Sequence, residues 1–247
     1  MTDLLVMIVM LMVLAMLLVP ALAGPQNKAG RMQCANNLRQ IGVASMMYAN
    51  EYRGWLPICT VHPNAINVLN GLSYTRYVSF GPANTTVPTN GGGSISFDCL
   101  GYLYHAGLAP KGQIFYCPDQ WGSPLGADAY SPLLTTDSGG VVRGSYAFNP
   151  RTVDATNSVL LRRYQKTSDL QPHKILAADY FGNLTPPTGN PSPHFREGGL
   201  NVLLSEGSVQ FSRNAGAIAL LSVFPDSENN ISHEEADQIM NYLEMDH

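Results

Sequence analysis

The hydrophobic pattern of this chain changes abruptly after its first two dozen residues. Residues 4–19 are apolar without interruption, the run stays uncharged through Gly24, and Asp3 is the one charge before it. Leu, Met, Val and Ile fall on every face at the helical period, unlike the one-sided stripe of a soluble amphipathic helix. As a helix, residues 4–24 span roughly 30 Å, the thickness of a hydrocarbon core, which predicts a transmembrane segment over residues 1–24. A cleaved secretory signal is the competing reading, because Ala21-Leu22-Ala23 is a small-residue cleavage pattern. The positively charged front end of such a signal is missing.

Past Pro25 the pattern becomes amphipathic. Met32, Ala35, Leu38, Ile41, Gly42, Ser45, Tyr48 and Ala49 recur in steps of three and four, with Arg31, Gln33, Asn36, Asn37, Arg39 and Gln40 around them. Residues 25–54 therefore read as a continuation of the first helix, stopped by the polar residues 50–54 and by Pro57. Running from about residue 2 to residue 52, such a helix is ~75 Å long. Pro20 and Pro25 each lack a backbone donor, which predicts an interruption between residues 19 and 26. Asp3 suits the first turn, where a carboxylate meets the positive end of the helix dipole. At a membrane edge it would also need a partner such as an N-terminal amine.

From Trp55 onward, Gly and Pro punctuate a chain of short elements. Residues 84–94 read as a loop, 100–108 as a short helix, and 113–116, 145–148, 174–178, 200–204 and 209–211 as strands. Ser205-Glu206-Gly207-Ser208 makes the last two a hairpin. The expectation is an α+β head over residues 55–247, an antiparallel sheet packed on the N-terminal helix. Ser232 and Glu235 form a capping box for a final helix ending near Leu243.

Composition narrows the chemistry. Charged residues make up 13%, with 14 Lys+Arg against 18 Asp+Glu and a net charge of -4, without the basic stripe that nucleic-acid binding needs. No nucleophile-elbow, dinucleotide or phosphate-loop motif occurs, so no enzyme and no cofactor is expected. His62, His105, His173, His194, His233 and His247 have no metal-ligand spacing. His173 and Asp179 flank a strand candidate and His194 precedes a Gly-Gly pair, which points to a polar cluster there. Asp226, Glu228 and Asn230 have the acidic density of a calcium loop. Setting Glu235 as the last ligand, however, puts Phe224 first and Asn229 where Gly is needed, so a solvated acidic turn is favoured. Four cysteines, Cys34, Cys59, Cys99 and Cys117, contain no C-x-x-C pair and allow three pairings. Short-loop closure favours Cys34 with Cys59 and Cys99 with Cys117; buried free cysteines are the alternative.

Asp3-Leu4-Leu5-Val6, the run ending Val19-Pro20-Ala21-Leu22, Cys34-Ala-Asn-Asn-Leu-Arg-Gln-Ile-Gly and Tyr48-Ala-Asn resemble the type IV pilin-like proteins, or pseudopilins, of bacterial type II secretion and related filaments. Leu100-Gly-Tyr-Leu-Tyr, Phe115-Tyr-Cys-Pro-Asp, Gly144-Ser-Tyr-Ala-Phe-Asn and His194 with Gly198-Gly199 and Glu206-Gly207 are similar to the large-headed forms of Planctomycetes and Verrucomicrobia. Glu206 stands where those proteins carry Asp, at a longer spacing from the His. The resemblance implies a single-pass inner-membrane subunit with its head in the periplasm or outside the cell. Its implied partners are the lipid bilayer, copies of itself met through the N-terminal helix, other pilin-like subunits and the membrane assembly machinery. Asp3 takes the place of the family's early Glu, which offsets a neighbour's amine, and Pro20 that of a stem proline. The basic leader and mature Phe of that family are not present ahead of Asp3. Lys28, Arg31 and Arg39 by themselves would favour the opposite orientation. A secreted or tethered binding domain that never polymerises is the alternative.

Overall fold

A computed structural model describes residues 2–61, 74–79, 86–88, 94–97, 99–109, 112–120, 142–153, 164–181, 193–194, 197–223 and 233–245, with the side chains of 17–27 and of several strands outside that description. The first element, α1 (Thr2–Glu51), is one helix of 50 residues with Asp3 exposed in its first turn. The interruption expected between residues 19 and 26 does not occur. A proline removes one donor, and the hydrogen bonds on either side of Pro20 and Pro25 carry the helix across. Residues 6–14 are all exposed, and at about 100° per residue they cover every face of the helix. Among the described residues, no helix is long and apolar enough to cross a membrane.

The rear of α1 buries Cys34, Asn37, Leu38, Ile41, Ala44, Ser45 and Ala49, a seam in steps of three and four. Met32, expected on this face, is instead 69% exposed, because two residues of helix place it about 160° around the axis from Cys34. Leu38 and Ile41 are fully buried and contribute about 1.5–3 kcal/mol each. Beyond Glu51 the chain turns back, with the Gly54 N–H donating to Ala49 O at 2.7 Å.

The head contains β1 (Cys59–Val61), β2 (Tyr74–Ser79), β3 (Thr86–Pro88), β4 (Ser94–Ser96), α2 (Gly101–His105), β5 (Val142–Arg143), β6 (Tyr146–Phe148), β7 (Arg151–Val153), β8 (Ile175–Asp179), β9 (Leu200–Leu204), β10 (Val209–Ser212), α3 (Ala215–Val223) and α4 (His233–Glu244). The central sheet is antiparallel with order β10-β9-β8-β6. A second antiparallel sheet has order β3-β4-β2-β5, and β1 pairs with β7 in parallel. Every residue of β8 and β9 is buried. Because successive side chains point to opposite sides, both faces of those strands are covered. The stem α1 packs on β8, β9 and β10, and the approach is close at Gly42, where a Cβ would lie 3.1 Å from Leu203 Cδ1. Glu244 fastens α4 to the start of β8, accepting hydrogen bonds from Lys174 Nζ at 2.8 Å and Ile175 N at 3.3 Å.

The α+β architecture thus agrees with the sequence reading, including the β9–β10 hairpin, whose register pairs Val209 with Leu203. Within the head, two local expectations fail. Residues 113–116 form a 3-10 turn, Gln113–Phe115, because the positive φ of Gly112 and the bond from Tyr116 N to Gln113 O curl the chain. The stretch 84–94, expected as a loop, contains β3 and the first residue of β4, where β-branched Val87 and Ile95 pair. Asp226, Glu228, Asn230 and the capping Ser232 lie outside the described residues.

Candidate functional site

The most concentrated chemistry lies where the stem meets the head. Cys34 opens the buried seam of α1, and Cys117 follows the 3-10 turn of the head. The two form a disulfide with Cα atoms 5.0 Å apart, joining residues separated by 83 in sequence. Neither the Cys34–Cys59 nor the Cys99–Cys117 pairing favoured by loop length forms. Cys99 is itself disulfide-bonded. Loop entropy weighs on the unfolded chain, whereas the native pairing is decided by which cysteines the packed fold brings within bonding reach.

Beside this disulfide, the His194 side chain is completely buried. Its Nε2 lies 3.4 Å from Cys117 Sγ and 3.9 Å from Asp179 Oδ2. Its Nδ1 faces two carboxylates, Glu197 Oε1 at 3.4 Å and Asp119 Oδ2 at 3.6 Å. Asp179 ends β8 fully buried; its Oδ2 accepts hydrogen bonds from Asn201 N at 2.7 Å and Asn201 Nδ2 at 2.9 Å. Its Oδ1 has no hydrogen-bond partner among the described residues. The stem supplies more than a cysteine. Arg31 pairs with Glu197 at 2.8 Å and lies 4.4 Å from the centre of the Phe211 ring. Asn37 Nδ2 donates to Tyr116 O at 2.9 Å, and the Tyr146 hydroxyl donates to Cys34 O at 3.5 Å. At Gly30 a Cβ would overlap the Asp119 carboxylate as it lies, so a larger residue there would have to displace that side chain from the cluster.

Burial dominates the electrostatics. It pushes Asp179 up to about 8; the two Asn201 bonds pull the other way, and the charges of Asp119 and Glu197 push it further up. At neutral pH this carboxyl is therefore mostly protonated. Burial likewise raises Asp119, against the attraction of His194. It lowers His194, against the pull of Asp119 and Glu197. The Tyr146 hydroxyl is raised well above its ordinary value by burial first and by Asp179 second. His194 Nδ1 faces the Asp119 and Glu197 carboxylates without a hydrogen bond among the described residues; a proton held there would turn the Nε2 lone pair toward Cys117 and Asp179. Cys34, Cys117 and His194 place their ligand atoms within 4.8 Å of one another. In the disulfide form neither sulfur is a thiolate, which is the state that coordinates metals.

Of the residues expected to act together, Asp179 and His194 meet and His173 does not. His173 sits at the opposite end of β8, with its Nδ1 3.7 Å from Glu206 Oε1 on the surface. The two halves of the His…Glu-Gly motif are accordingly separated by the length of β9. Gly199 lies by the His half, and a Cβ there would collide with the Ser212 carbonyl. Glu206 and Gly207 form the β9–β10 turn, where Gly207 has φ +88 and the Gly207 N–H donates to Leu204 O. Glu206 is slightly desolvated, yet its carboxyl is held below the usual range by hydrogen bonds from its own backbone, Ser208, the His173 N–H and Ser205. Sequence reasoning gave no role to Arg31, Asp119, Tyr146 or Glu197, although Asp119 and Tyr146 lie within the family-like stretches 115–119 and 144–149; their meeting depends on tertiary packing. Asn201 did carry a signal, being the one polar residue in the apolar strand over 200–204.

Residues 26–81 match the pattern of a family described as a protein of unknown function (DUF1559), a stretch running from mid-α1 past β2. No curated protein and no solved structure matches the chain.

Proposed function

We propose that this chain is a non-enzymatic, membrane-anchored, pilin-like subunit whose N-terminal helix holds it in the bacterial inner membrane, with the head outside the cytoplasm. The observation that carries the reading is α1 itself, one unbroken helix with two different surfaces. Its front exposes Val6, Met7, Ile8, Val9, Met10 and Leu11, consecutive residues that circle the helix, and its rear is locked into the head. Exposed apolar surface of that extent requires a cover, and lipid or neighbouring helices supply one. Like helices gain little hydrophobic energy inside lipid. Leaving the bilayer for a filament buries the same surface against water, which gives assembly a driving force. Asp3, exposed in the first turn, would then offset the amine of a neighbouring copy.

The test is membrane fractionation of the full chain in a Gram-negative host that has filament-assembly machinery, followed by electron microscopy. The expected result is detergent-dependent extraction, with Asp3→Ala inserting normally and forming no filaments. Recovery as a soluble monomer without detergent would overturn the anchor, and normal filaments from Asp3→Ala would overturn the role of Asp3. A tethered binding domain that does not polymerise is the second reading. It is favoured by an open groove of ≈ 600 Å³ beside α1, lined by Val43, Met46, Met47 and Leu176 and closed by Glu206 and Gly207, a size suited to a small molecule.

A further inference from the structure

We propose that Cys34, Cys117, His194 and Asp179 are a zinc site in the reduced chain, so that the joint between stem and head closes either by a disulfide or by a metal ion. The donors are the two sulfurs, one imidazole nitrogen and one carboxylate oxygen, a set that suits tetrahedral Zn²⁺. Three of them already converge within 4.8 Å, and the Asp179 carboxyl, whose Oδ2 lies 3.9 Å from His194 Nε2, offers its unpartnered Oδ1 as the fourth donor. Breaking the S–S bond frees the two sulfurs to separate by side-chain rotation, and a turn of the Asp179 carboxyl must accompany it to complete a four-donor centre.

Two further observations point to a ligand and do not follow from disulfide formation alone. Asp179 is buried with one oxygen lacking a hydrogen-bond partner among the described residues, although its other oxygen accepts two. A buried polar atom of this kind is costly, with or without its proton, unless a partner or ligand meets it. His194 has its Nδ1 directed at Asp119 and Glu197. A carboxylate behind one ring nitrogen is the arrangement that orients metal-bound histidine and keeps the opposite nitrogen available. Arg31 holds Glu197 in that place.

The chemistry balances with a phosphine as reductant. The phosphorus supplies two electrons to the S–S bond and takes an oxygen from water, whose two protons go to the Cys34 and Cys117 sulfurs. Binding of Zn²⁺ then displaces those two thiol protons to solvent, together with the proton of any Asp179 carboxyl that carries one. The disulfide and the metal site exclude each other, because a sulfur in an S–S bond has no charge to donate.

The test uses the full chain in detergent, titrated with Zn²⁺ and, as a spectroscopic substitute, Co²⁺, before and after phosphine reduction. One Zn²⁺ per chain is expected after reduction and none before, with the sulfur-to-cobalt charge-transfer band and the intense d–d bands of a tetrahedral site. Cys34→Ser/Cys117→Ser should lose that band while keeping Cys59 and Cys99. His194→Gln and Asp179→Asn should weaken binding more than tenfold, and Glu197→Gln by roughly 10–100-fold as an outer-shell change. Undiminished binding by the Cys34→Ser/Cys117→Ser chain, or an octahedral cobalt spectrum, overturns the proposal. If reduction unfolds the head, Zn²⁺ must restore its native circular dichroism, and failure to do so overturns the proposal equally.

Discussion

Replacing both Cys34 and Cys117 by Ala tests how the stem and head are held together. The bond links residues separated by 83 in sequence, and confining a loop of that length in the unfolded chain is worth about 4–5 kcal/mol. Both sulfurs are fully buried, so the lost packing adds about 1–2 kcal/mol. The combined loss of roughly 5–7 kcal/mol is comparable with the whole stability of many domains, about 5–15 kcal/mol. Urea unfolding in detergent, followed by tryptophan fluorescence, measures it directly. The variant should unfold at much lower urea and with a larger m value, because its unfolded chain expands without the crosslink. A loss below about 1 kcal/mol at unchanged m would refute the reasoning, showing that packing alone fixes the helix to the head.

Two other predictions concern single residues. With Asp179 raised to about 8 in the fold and near 3.9 in the unfolded chain, the native state binds the extra proton between those values. Stability contributed by Asp179 is therefore complete below pH ~4 and is lost as pH rises toward about 8, with a slope of at most about 1.4 kcal/mol per pH unit. Asp179→Asn should flatten that slope in urea titrations across pH 5–8, and an unchanged slope would place the titration elsewhere. Gly207→Ala, at φ +88 with open space around the Cβ, should cost about 1 kcal/mol through backbone strain alone. A neutral result in thermal unfolding would mean that the turn relaxes.

Periodicity made the local architecture legible, and packing decided what it did not reveal. The apolar run over 200–204 and the Gly-containing turn after it specified β9 and its hairpin nearly to the residue, because burial on both faces and turn chemistry act locally. The rear seam of α1 was legible in period but misplaced in phase at Met32, since a helical period does not say which flank of the stripe the head will cover. Asp179 and His194 were marked as a cluster by their positions beside strand and glycine signals. Asp119 and Glu197 could not be, because their roles arise only once the helix lies across the sheet. The cysteine pairing failed for the same reason. Proximity in the fold, not along the chain, chose Cys117 for Cys34.

The position of that crosslink also governs how load passes through the molecule. Cys34 is the first buried residue in the described part of the seam of α1, and Ile41, Ala44 and Ala49 follow it toward the head end of the helix. A pull along the axis from the N-terminal end reaches a covalent bond before it reaches the core contacts behind it. Those contacts are then loaded together in shear instead of peeling apart one after another from the exposed end. In the disulfide form, the helix and the head should therefore behave under tension as one mechanical body, with yielding confined to the chain ahead of Cys34.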